Sequence, residues 1–296
     1  MKFSDYLKTQ KVLILDGAMG TELQRRGVDI TLPLWSAKAI NEHPEVIREI
    51  HCDYIAAGTD IITTNTFRTD LRTFQKAGLS QDDARQATIK AVNLAREAIR
   101  TTAVIHKVWI AGSMAPLEDC YHPELTPDYQ TAFNEHLLKA AWLAQAGVDF
   151  ILVETMNSLN EALAATRAAL TTGLPVATSF ILRDKDHILN GEAILPAYLA
   201  LKKEGITIFS INCTHHSIIT AFLNTYAKWI QLPLMVYANA GIFNSQKGWE
   251  EDPQFTPLLY QQIAQTWLNH GVKIIGGCCG TDPSYIRLLA QTKSPV

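Results

Sequence analysis

Eight short apolar runs, rich in β-branched residues, recur along the chain and alternate with longer segments of helical spacing. Most of these runs are continuously apolar, which is typical of strands covered on both faces in a parallel sheet. They lie at 12–15, 60–64, 108–111, 150–153, 176–180, 208–211, 234–237 and 272–275. This alternation constrains the fold most, because parallel strands must be joined by crossover segments that are usually helices.

The segments between the runs carry signals for helix starts. Ser158 and Glu161 have the spacing of a capping box. Ser80 and Asp83 form a weaker version, and Asp282 precedes a proline that suits the first helical turn. We expect helices at 44–57, 82–99, 128–146, 159–170, 193–203, 217–229, 257–269 and 283–290.

Eight strand–helix units predict one α/β domain over residues 1–296, a (β/α)8 TIM barrel, whose usual size of about 250 residues suits a chain of 296. An open doubly wound sheet is the alternative. That fold usually carries a phosphate loop, and the sequence contains neither a G-x-G-x-x-G pattern nor a Walker-type lysine motif. The long connection at 114–127 is a candidate lid over the barrel mouth.

Composition argues against several classes of protein. Hydrophobic residues make up 47% of the chain, charged residues 19%, and the formal net charge is −3, as in an ordinary globular protein. No Lys/Arg-rich run indicates a nucleic-acid surface, and no apolar stretch approaches the ~18 residues of a membrane span. Residues 1–10 lack the apolar core of a signal peptide. Five cysteines do not make a disulfide framework here, so we expect a cytoplasmic protein.

Polar residues end nearly every apolar run. In a (β/α)8 barrel the active site lies at the C-terminal ends of the strands, so these positions are candidate site residues. Each has an ordinary explanation, such as a turn or a charge near a helix N-terminus, but the coincidence across eight strand ends favours a site. In chain order the ends are Asp16-Gly17, Asn65-Thr66-Phe67, Gly112-Ser113, Glu154-Thr155, Ser179-Phe180, Asn212-Cys213, Asn239 and Cys278-Cys279.

Three cysteines fall at two of these strand ends, Cys213 at the sixth and the adjacent pair Cys278 and Cys279 at the eighth. Adjacent strand residues face opposite ways, so the pair can bind one ion only if the backbone leaves strand geometry, which the flanking glycines permit. Three thiolates with an open fourth position indicate a catalytic metal site, and sulfur ligands favour zinc. The alternatives are buried cysteines without metal, and a closed structural site with His215 as fourth ligand.

Zinc held by three thiolates carries a net charge of about −1, which makes it a poor activator of water. It can still deprotonate an incoming thiol, whose free pKa is about 8.5. The predicted chemistry is therefore thiol alkylation, with Glu154 or Asp16 binding the ammonium group of an amino-acid thiol. A zinc hydrolase and a non-catalytic thiol- or metal-binding barrel are the alternatives.

Six segments resemble the zinc-dependent homocysteine S-methyltransferase family, over essentially the whole chain. The most specific are Gly276-Gly277-Cys278-Cys279-Gly280 and Asn212-Cys213-Thr214-His215. The other four, which support the resemblance less specifically, are 15–21, 41–45, 63–67 and 153–155.

The resemblance implies a (β/α)8 barrel with zinc held by Cys213, Cys278 and Cys279. The implied reaction is in-line transfer of a methyl group from a cationic donor to the homocysteine thiolate, giving methionine. Selenohomocysteine or selenocysteine is a further candidate acceptor. The residues that we assign to substrate binding are Asp16, Gly17, Thr66, Phe67, Glu154 and Asn212.

Members of this family use S-methylmethionine, S-adenosylmethionine, betaine or a methylated folate as donor. The chain lacks a folate or cobalamin domain and the long C-terminal extension of the betaine enzymes, so we expect a sulfonium donor, S-methylmethionine or S-adenosylmethionine. Two segments at the expected mouth depart from the family pattern: 112–121 is not Gly/Tyr-rich, and 237–241 has alanine where proline is common. Aromatic faces would favour a cationic donor, and the candidates are Phe67, Tyr121, Phe243 and Trp249.

Overall fold

The structure is a computed structural model that describes residues 2–9, 11–244 and 248–293, with only the backbone described at 242–244, 248, 249 and 251. Eight strands form the main sheet, and each overlaps one of the predicted apolar runs. The strands are β1 (Leu13–Ile14), β2 (Ile61–Thr63), β3 (Trp109–Met114), β4 (Phe150–Met156), β5 (Val176–Phe180), β6 (Ile208–His215), β7 (Leu234–Asn239) and β8 (Val272–Gly277).

These strands form a closed parallel barrel. They are hydrogen-bonded in the order β1-β8-β7-β6-β5-β4-β3-β2, and all neighbouring pairs are parallel. Leu15 bridges to Ile61, and the Asp16 N–H donates to the Ile61 carbonyl at 3.0 Å, which joins the first strand to the second. The (β/α)8 fold is confirmed, and the closure excludes the open doubly wound sheet.

The predicted crossover helices are all present. Ser80 and Asp83 form a full reciprocal capping box, and Asp282 caps its helix by accepting the Ser284 N–H at 2.7 Å. Residues Ala227–Trp229, expected at the end of an α-helix, form a 3-10 turn instead. The eight helices are Pro44–Ala56, Gln81–Thr102, Tyr129–Ala146, Leu159–Leu170, Ile194–Glu204, His216–Tyr226, Pro257–Asn269 and Pro283–Ala290.

The capping box expected at Ser158 is only half formed. The Ser158 hydroxyl accepts the Glu161 N–H at 3.4 Å, but the Glu161 carboxylate does not return to the Ser158 backbone. It accepts the Leu117 N–H at 2.8 Å and lies 3.1 Å from Nε2 of buried His136. Tertiary partners of a buried carboxylate have therefore displaced the local pairing that the sequence pattern predicted.

Several elements fall outside the predicted alternation. Two antiparallel hairpins follow barrel strands, one pairing Leu182–Asp184 with His187–Ile188 and the other pairing Gly241–Asn244 with Gly248–Glu251. Short helical elements lie at Phe3–Tyr6, Met19–Arg25, Trp35–Lys38, Ala39–Glu42, Leu71–Lys76 and Pro123–Leu125. Across the described residues, none of the helices has the length and apolar character of a membrane span.

The barrel interior is filled from the bottom by large apolar side chains. Phe3 stacks on Phe150 with ring centroids 4.3 Å apart and also contacts Trp109, so the N-terminal segment covers the lower end. Inward-facing residues alternate along each strand, as in β4, where Phe150 and Leu152 belong to the interior cluster. The next inward position on β4 is Glu154, and this upper layer of the barrel is polar.

Candidate active site

A pocket of about 550 Å³ lies at the C-terminal ends of the strands. This volume is within the usual range of small-molecule sites, roughly 300–1,000 Å³. Seven of the nine candidate site residues line it, and Thr66 and Asn212 do not. The seven are Asp16, Gly17, Phe67, Glu154, Cys213, Cys278 and Cys279.

The sulfur atoms of Cys213, Cys278 and Cys279 lie within 4.8 Å of one another, although the residues come from different strand ends. Cys213 is near the end of β6, and the other two follow β8 directly. Three converging thiols of this kind can hold a metal ion. We call these three residues the thiol cluster.

The backbone leaves strand geometry at both ends of the thiol cluster, as the convergence requires. Cys213 has a φ of 51°, in the left-handed region, which a non-glycine residue adopts at a cost of about 1 kcal/mol or more. The strand β8 ends at Gly277, and Cys279 and Gly280 form a turn. A Cβ atom on Gly277 would lie 2.2 Å from Thr281 Oγ1, so only glycine fits where this turn folds back.

His215, the candidate fourth ligand, is directed away from the thiol cluster. Its Nδ1 lies 2.7 Å from the Ser217 hydroxyl, and its ring packs against His216 with centroids 4.2 Å apart. Histidine is absent from the side chains that line the pocket in the described structure. His215 is therefore not placed to complete a metal site with the three thiols.

The three thiols of the cluster differ in acidity. Hydrogen bonds from Cys278 and Cys279 lower the pKa of Cys213 well below its ordinary value. The Tyr121 hydroxyl, 3.3 Å from the Cys213 sulfur, acts in the same direction. In the metal-free protein Cys213 is thus the most acidic of the three, because the two neighbouring thiols stabilise its charged form.

Asp16 is a buried carboxylate at the end of β1, with only 3% of its surface exposed. Burial raises its pKa to about 8. The Thr63 N–H and hydroxyl, which donate to the two carboxylate oxygens at 2.7 and 2.9 Å, oppose this rise by stabilising the charged form. The nearby charge of Glu154 adds to the rise.

Glu154 is the second buried carboxylate of the pocket and is 7% exposed. Burial raises its pKa to about 7, against the opposing effect of two hydroxyl donors. Ser113 donates to Oε1, and Tyr237 donates to Oε2 at 3.0 Å. The pocket therefore contains two carboxylates, those of Asp16 and Glu154, whose pKa values of about 8 and about 7 lie close to neutral pH. A cation that binds beside them would favour their charged forms.

Thr66 and Asn212 lie behind the pocket wall. The Thr66 hydroxyl donates to the Ser113 carbonyl at 2.9 Å. The Asn212 oxygen accepts from the Thr155 N–H at 2.9 Å and from the Ser179 hydroxyl at 2.6 Å. Its nitrogen donates to the Thr155 hydroxyl at 2.8 Å, which links β4 to β6 across β5. Their assignment to substrate binding stays a prediction.

The 114–127 connection contributes Asp119, Cys120 and Tyr121 to the pocket wall. Two aromatic rings also line the pocket: Phe67, and Trp35, whose ring lies edge-on to it at 5.6 Å. The remaining aromatic candidates, Phe243 and Trp249, have side chains outside the described residues.

Some pocket residues were not singled out from the sequence. Thr63 and Tyr237, which orient the two carboxylates, belong to apolar runs, and only their inward position in the barrel identifies them. Trp35 lies in a stretch with no periodic pattern. Fold and site together define a (β/α)8-barrel protein with a cluster of three thiols, able to hold a metal ion, at the ends of its strands.

Comparison with known proteins assigns the family. The family model for homocysteine S-methyltransferase matches residues 13–292. Homocysteine S-methyltransferase of Escherichia coli (strain K12) is 33% identical, with 96% of both chains covered. Homocysteine S-methyltransferase 2 of Zea mays is 31% identical over 96% of this chain and 91% of its own, and selenocysteine Se-methyltransferase of Brassica oleracea var. italica is 30% identical over 93% and 87%.

Solved structures agree. The homocysteine methyltransferase MmuM of Escherichia coli in its metallated form matches with a TM-score of 0.85, at 29% identity, over 97% of this chain and 98% of that chain. The chain belongs to the homocysteine S-methyltransferase family, a family of enzymes, and the resemblance found in the sequence is confirmed.

Proposed function

We propose that this protein is a zinc-dependent methyltransferase that moves a methyl group from a cationic sulfonium donor to the thiolate of homocysteine, giving methionine. The observation that carries the proposal is the convergence of Cys213, Cys278 and Cys279 within 4.8 Å, in the same pocket as the buried carboxylates of Asp16 and Glu154. One pocket thus offers a site for the sulfur of an amino-acid thiol and a site for its ammonium group.

The thiol cluster suits zinc. Zn–S bonds of about 2.3 Å in a tetrahedral site place the sulfur atoms roughly 3.8 Å apart, close to the observed separations of at most 4.8 Å. Soft thiolates select zinc, and the metallated state of MmuM supports a metal here. When bound, zinc with three thiolates would hold an incoming thiol as a nucleophilic thiolate at neutral pH.

The two carboxylates would bind the ammonium group of homocysteine. Each oxygen of Asp16 and Glu154 already accepts one hydrogen bond from the protein and retains capacity for another. A bound ammonium group would favour the charged form of both carboxylates and so lower their pKa. Glu154 precedes Thr155, Cys213 follows Asn212, and the Asn212 amide is hydrogen-bonded to the N–H and hydroxyl of Thr155. The carboxylate proposed to bind the acceptor amine and one sulfur of the thiol cluster are therefore carried by two linked strand ends.

In the reaction the bond between the methyl carbon and the donor sulfur breaks, and its electron pair stays on that sulfur. The methyl carbon forms a bond with the acceptor sulfur, whose proton is released. Two opposite charges disappear, so a pocket with little water favours the transfer. The rings of Phe67, Trp35 and Tyr121 offer faces to a cationic donor, and S-methylmethionine or S-adenosylmethionine is the donor we propose.

The proposal also covers the acceptor and the cellular location. Homocysteine is the primary acceptor, and selenocysteine is the second candidate because the Brassica relative is a selenocysteine Se-methyltransferase. All five cysteines are free thiols, and the thiol cluster must stay reduced to bind metal, so we infer a cytoplasmic location.

A donor and acceptor panel tests the proposal. Purified protein should contain about one zinc per chain by elemental mass spectrometry and should form methionine from homocysteine with a sulfonium donor. Cys213→Ala, Cys278→Ala and Cys279→Ala should lose both metal and product. Cys52→Ala is the matched control, because this cysteine lies on the helix Pro44–Ala56 and is outside the pocket lining. Full activity in metal-free protein would refute the proposal.

A further inference from the structure

Arg68 brings a positive charge to a pocket that is proposed to receive a cation. It follows Phe67 after β2, is half-buried and lines the pocket. Among the described residues no carboxylate lies within 4.0 Å of it, although the neighbouring Arg72 is paired with Glu118 and Glu135. An unneutralised arginine would repel a simple cationic donor, so its presence calls for an anionic group on the ligand.

The guanidinium of Arg68 is held in place but not saturated. Its Nη1 donates to the Glu118 carbonyl at 2.9 Å, and its centre lies 5.5 Å from the Phe67 ring centroid. Arginine has five N–H donors, and within the described structure this is the hydrogen bond that its guanidinium makes. The remaining donors can form the bidentate pair that arginine makes with a carboxylate.

Asp119 supplies the opposite charge on the adjoining loop. It is half-buried and lines the same pocket. Its Oδ1 accepts the Tyr121 N–H at 2.9 Å, and in the described part of the chain no basic side chain lies within 4.0 Å of its carboxylate. Arg68 and Asp119 thus leave one charge of each sign available in the lining of one pocket.

These two charges are distinct from the proposed acceptor site. Asp16 and Glu154 are buried at the ends of β1 and β4, whereas Arg68 and Asp119 are less buried and come from the connections after β2 and β3. The connection that carries Asp119 also carries Tyr121, whose hydroxyl reaches Cys213 at 3.3 Å. A ligand held by Arg68 and Asp119 would therefore lie in the same pocket as the thiol cluster.

We propose that Arg68 binds the α-carboxylate and Asp119 the α-ammonium group of the methyl donor, so that the enzyme selects sulfonium donors that are α-amino acids. This inference rests on the proposed methyltransferase function. It separates such donors from a betaine, which has a carboxylate but no ammonium N–H, and from simple alkyl sulfonium ions, which have neither group.

The test compares Arg68→Gln and Asp119→Asn with the wild type, using three donors at saturating homocysteine. The donors are S-methylmethionine, (3-aminopropyl)dimethylsulfonium, which lacks the carboxylate, and 4-(dimethylsulfonio)butanoate, which lacks the amine. A hydrogen bond to a charged partner corresponds to about 10- to 100-fold, so each variant should lose about that much kcat/KM for S-methylmethionine. Arg68→Gln should leave the carboxylate-free donor unaffected, and Asp119→Asn the amine-free donor.

Two further measurements separate recognition from a structural effect. The KM for homocysteine should stay within about twofold in both variants, since the acceptor site is not altered. Arg68→Lys should recover part of the loss, because it restores the charge without the planar fork. Arg85→Gln is the matched control, because this arginine on the helix Gln81–Thr102 pairs with Asp82 and does not line the pocket.

The outcomes are distinguishable from failure of the proposed function. If wild-type protein forms no methionine from homocysteine with any donor, the proposed function is wrong and this inference fails with it. If the wild type is active but Arg68→Gln weakens all three donors equally, or raises the KM of homocysteine instead, only the assignment of Arg68 is overturned. Asp119→Asn is judged by the same criterion with the amine-free donor.

Discussion

Replacing Tyr237 with phenylalanine should shift the pH dependence of homocysteine capture. The Tyr237 hydroxyl donates to Glu154 Oε2 at 3.0 Å and is one of two hydroxyls that counter the effect of burial on that carboxylate. A hydrogen bond to a charged group contributes about 1.5–3 kcal/mol, which is about 1–2 pH units at 1.36 kcal/mol each. The pKa of Glu154, about 7 in the wild type, should therefore rise to between about 8 and 9 in Tyr237→Phe.

The direction of this pH effect follows from the ammonium group that Glu154 is proposed to bind. Only the ionised carboxylate attracts it, so kcat/KM for homocysteine falls as the pH drops through the pKa of Glu154. At pH 7 the ionised fraction should fall about 5- to 50-fold in Tyr237→Phe, and the deficit should shrink as the pH rises. Asp16, with a pKa of about 8, should make the wild-type acid limb steeper than one proton would.

The assay is kcat/KM for homocysteine between pH 6 and 9 with saturating donor. Tyr226→Phe is the matched control, since that hydroxyl binds Asp186 at 2.6 Å and is not part of the pocket lining. Thermal unfolding of both variants checks that the fold is intact. An acid limb at the same pH in Tyr237→Phe and wild type would refute the assignment of Glu154 to homocysteine capture.

Three further outcomes are expected. Asp16→Asn should stabilise the substrate-free protein against unfolding. The pKa of Asp16 is about 8 in the folded protein and 3.8 ordinarily, so the wild type loses stability as the pH rises between these two values. In urea unfolding the advantage of the variant should grow over this range to at most about 6 kcal/mol and stay constant above pH 8. Gly277→Ala should lower the melting temperature and the metal content together, because the new Cβ would lie 2.2 Å from Thr281 Oγ1; normal zinc binding would contradict this. Asn212→Ala should cost about 1–3 kcal/mol in urea unfolding, because it leaves the buried Thr155 N–H without a partner, and an unchanged midpoint would argue against that.

The barrel could be predicted because a parallel strand covered on both faces is apolar along its whole length, and such a run of neighbouring residues is visible in the sequence. The strand-end rule then predicted that Asp16, Glu154 and the three cysteines would lie at one rim of the barrel, and they line one pocket there. Their convergence could be inferred because β6 and β8 are two strands apart on one rim.

Other features depend on contacts between distant residues, which local patterns do not encode. The Ser158 capping box is incomplete because Leu117 and His136 take the Glu161 carboxylate. Arg68 follows a recognisable segment, yet its direction is set by the Glu118 carbonyl, 50 residues away. Such partners become visible only when the loops above the barrel are placed.

The Asn212 amide has a thermodynamic consequence. It joins Thr155, next to the carboxylate of Glu154, to the strand that carries Cys213, and both Thr155 and Cys213 have left-handed backbone angles, with φ of 59° and 51°. Ordering one bend therefore helps to order the other. For the metal and the acceptor proposed above, this cooperativity is reciprocal: whatever factor the bound metal adds to the affinity for the acceptor amino acid, the bound acceptor adds to the affinity for the metal. In a cell short of the metal ion, the enzyme molecules with bound acceptor would then be the last to lose the ion.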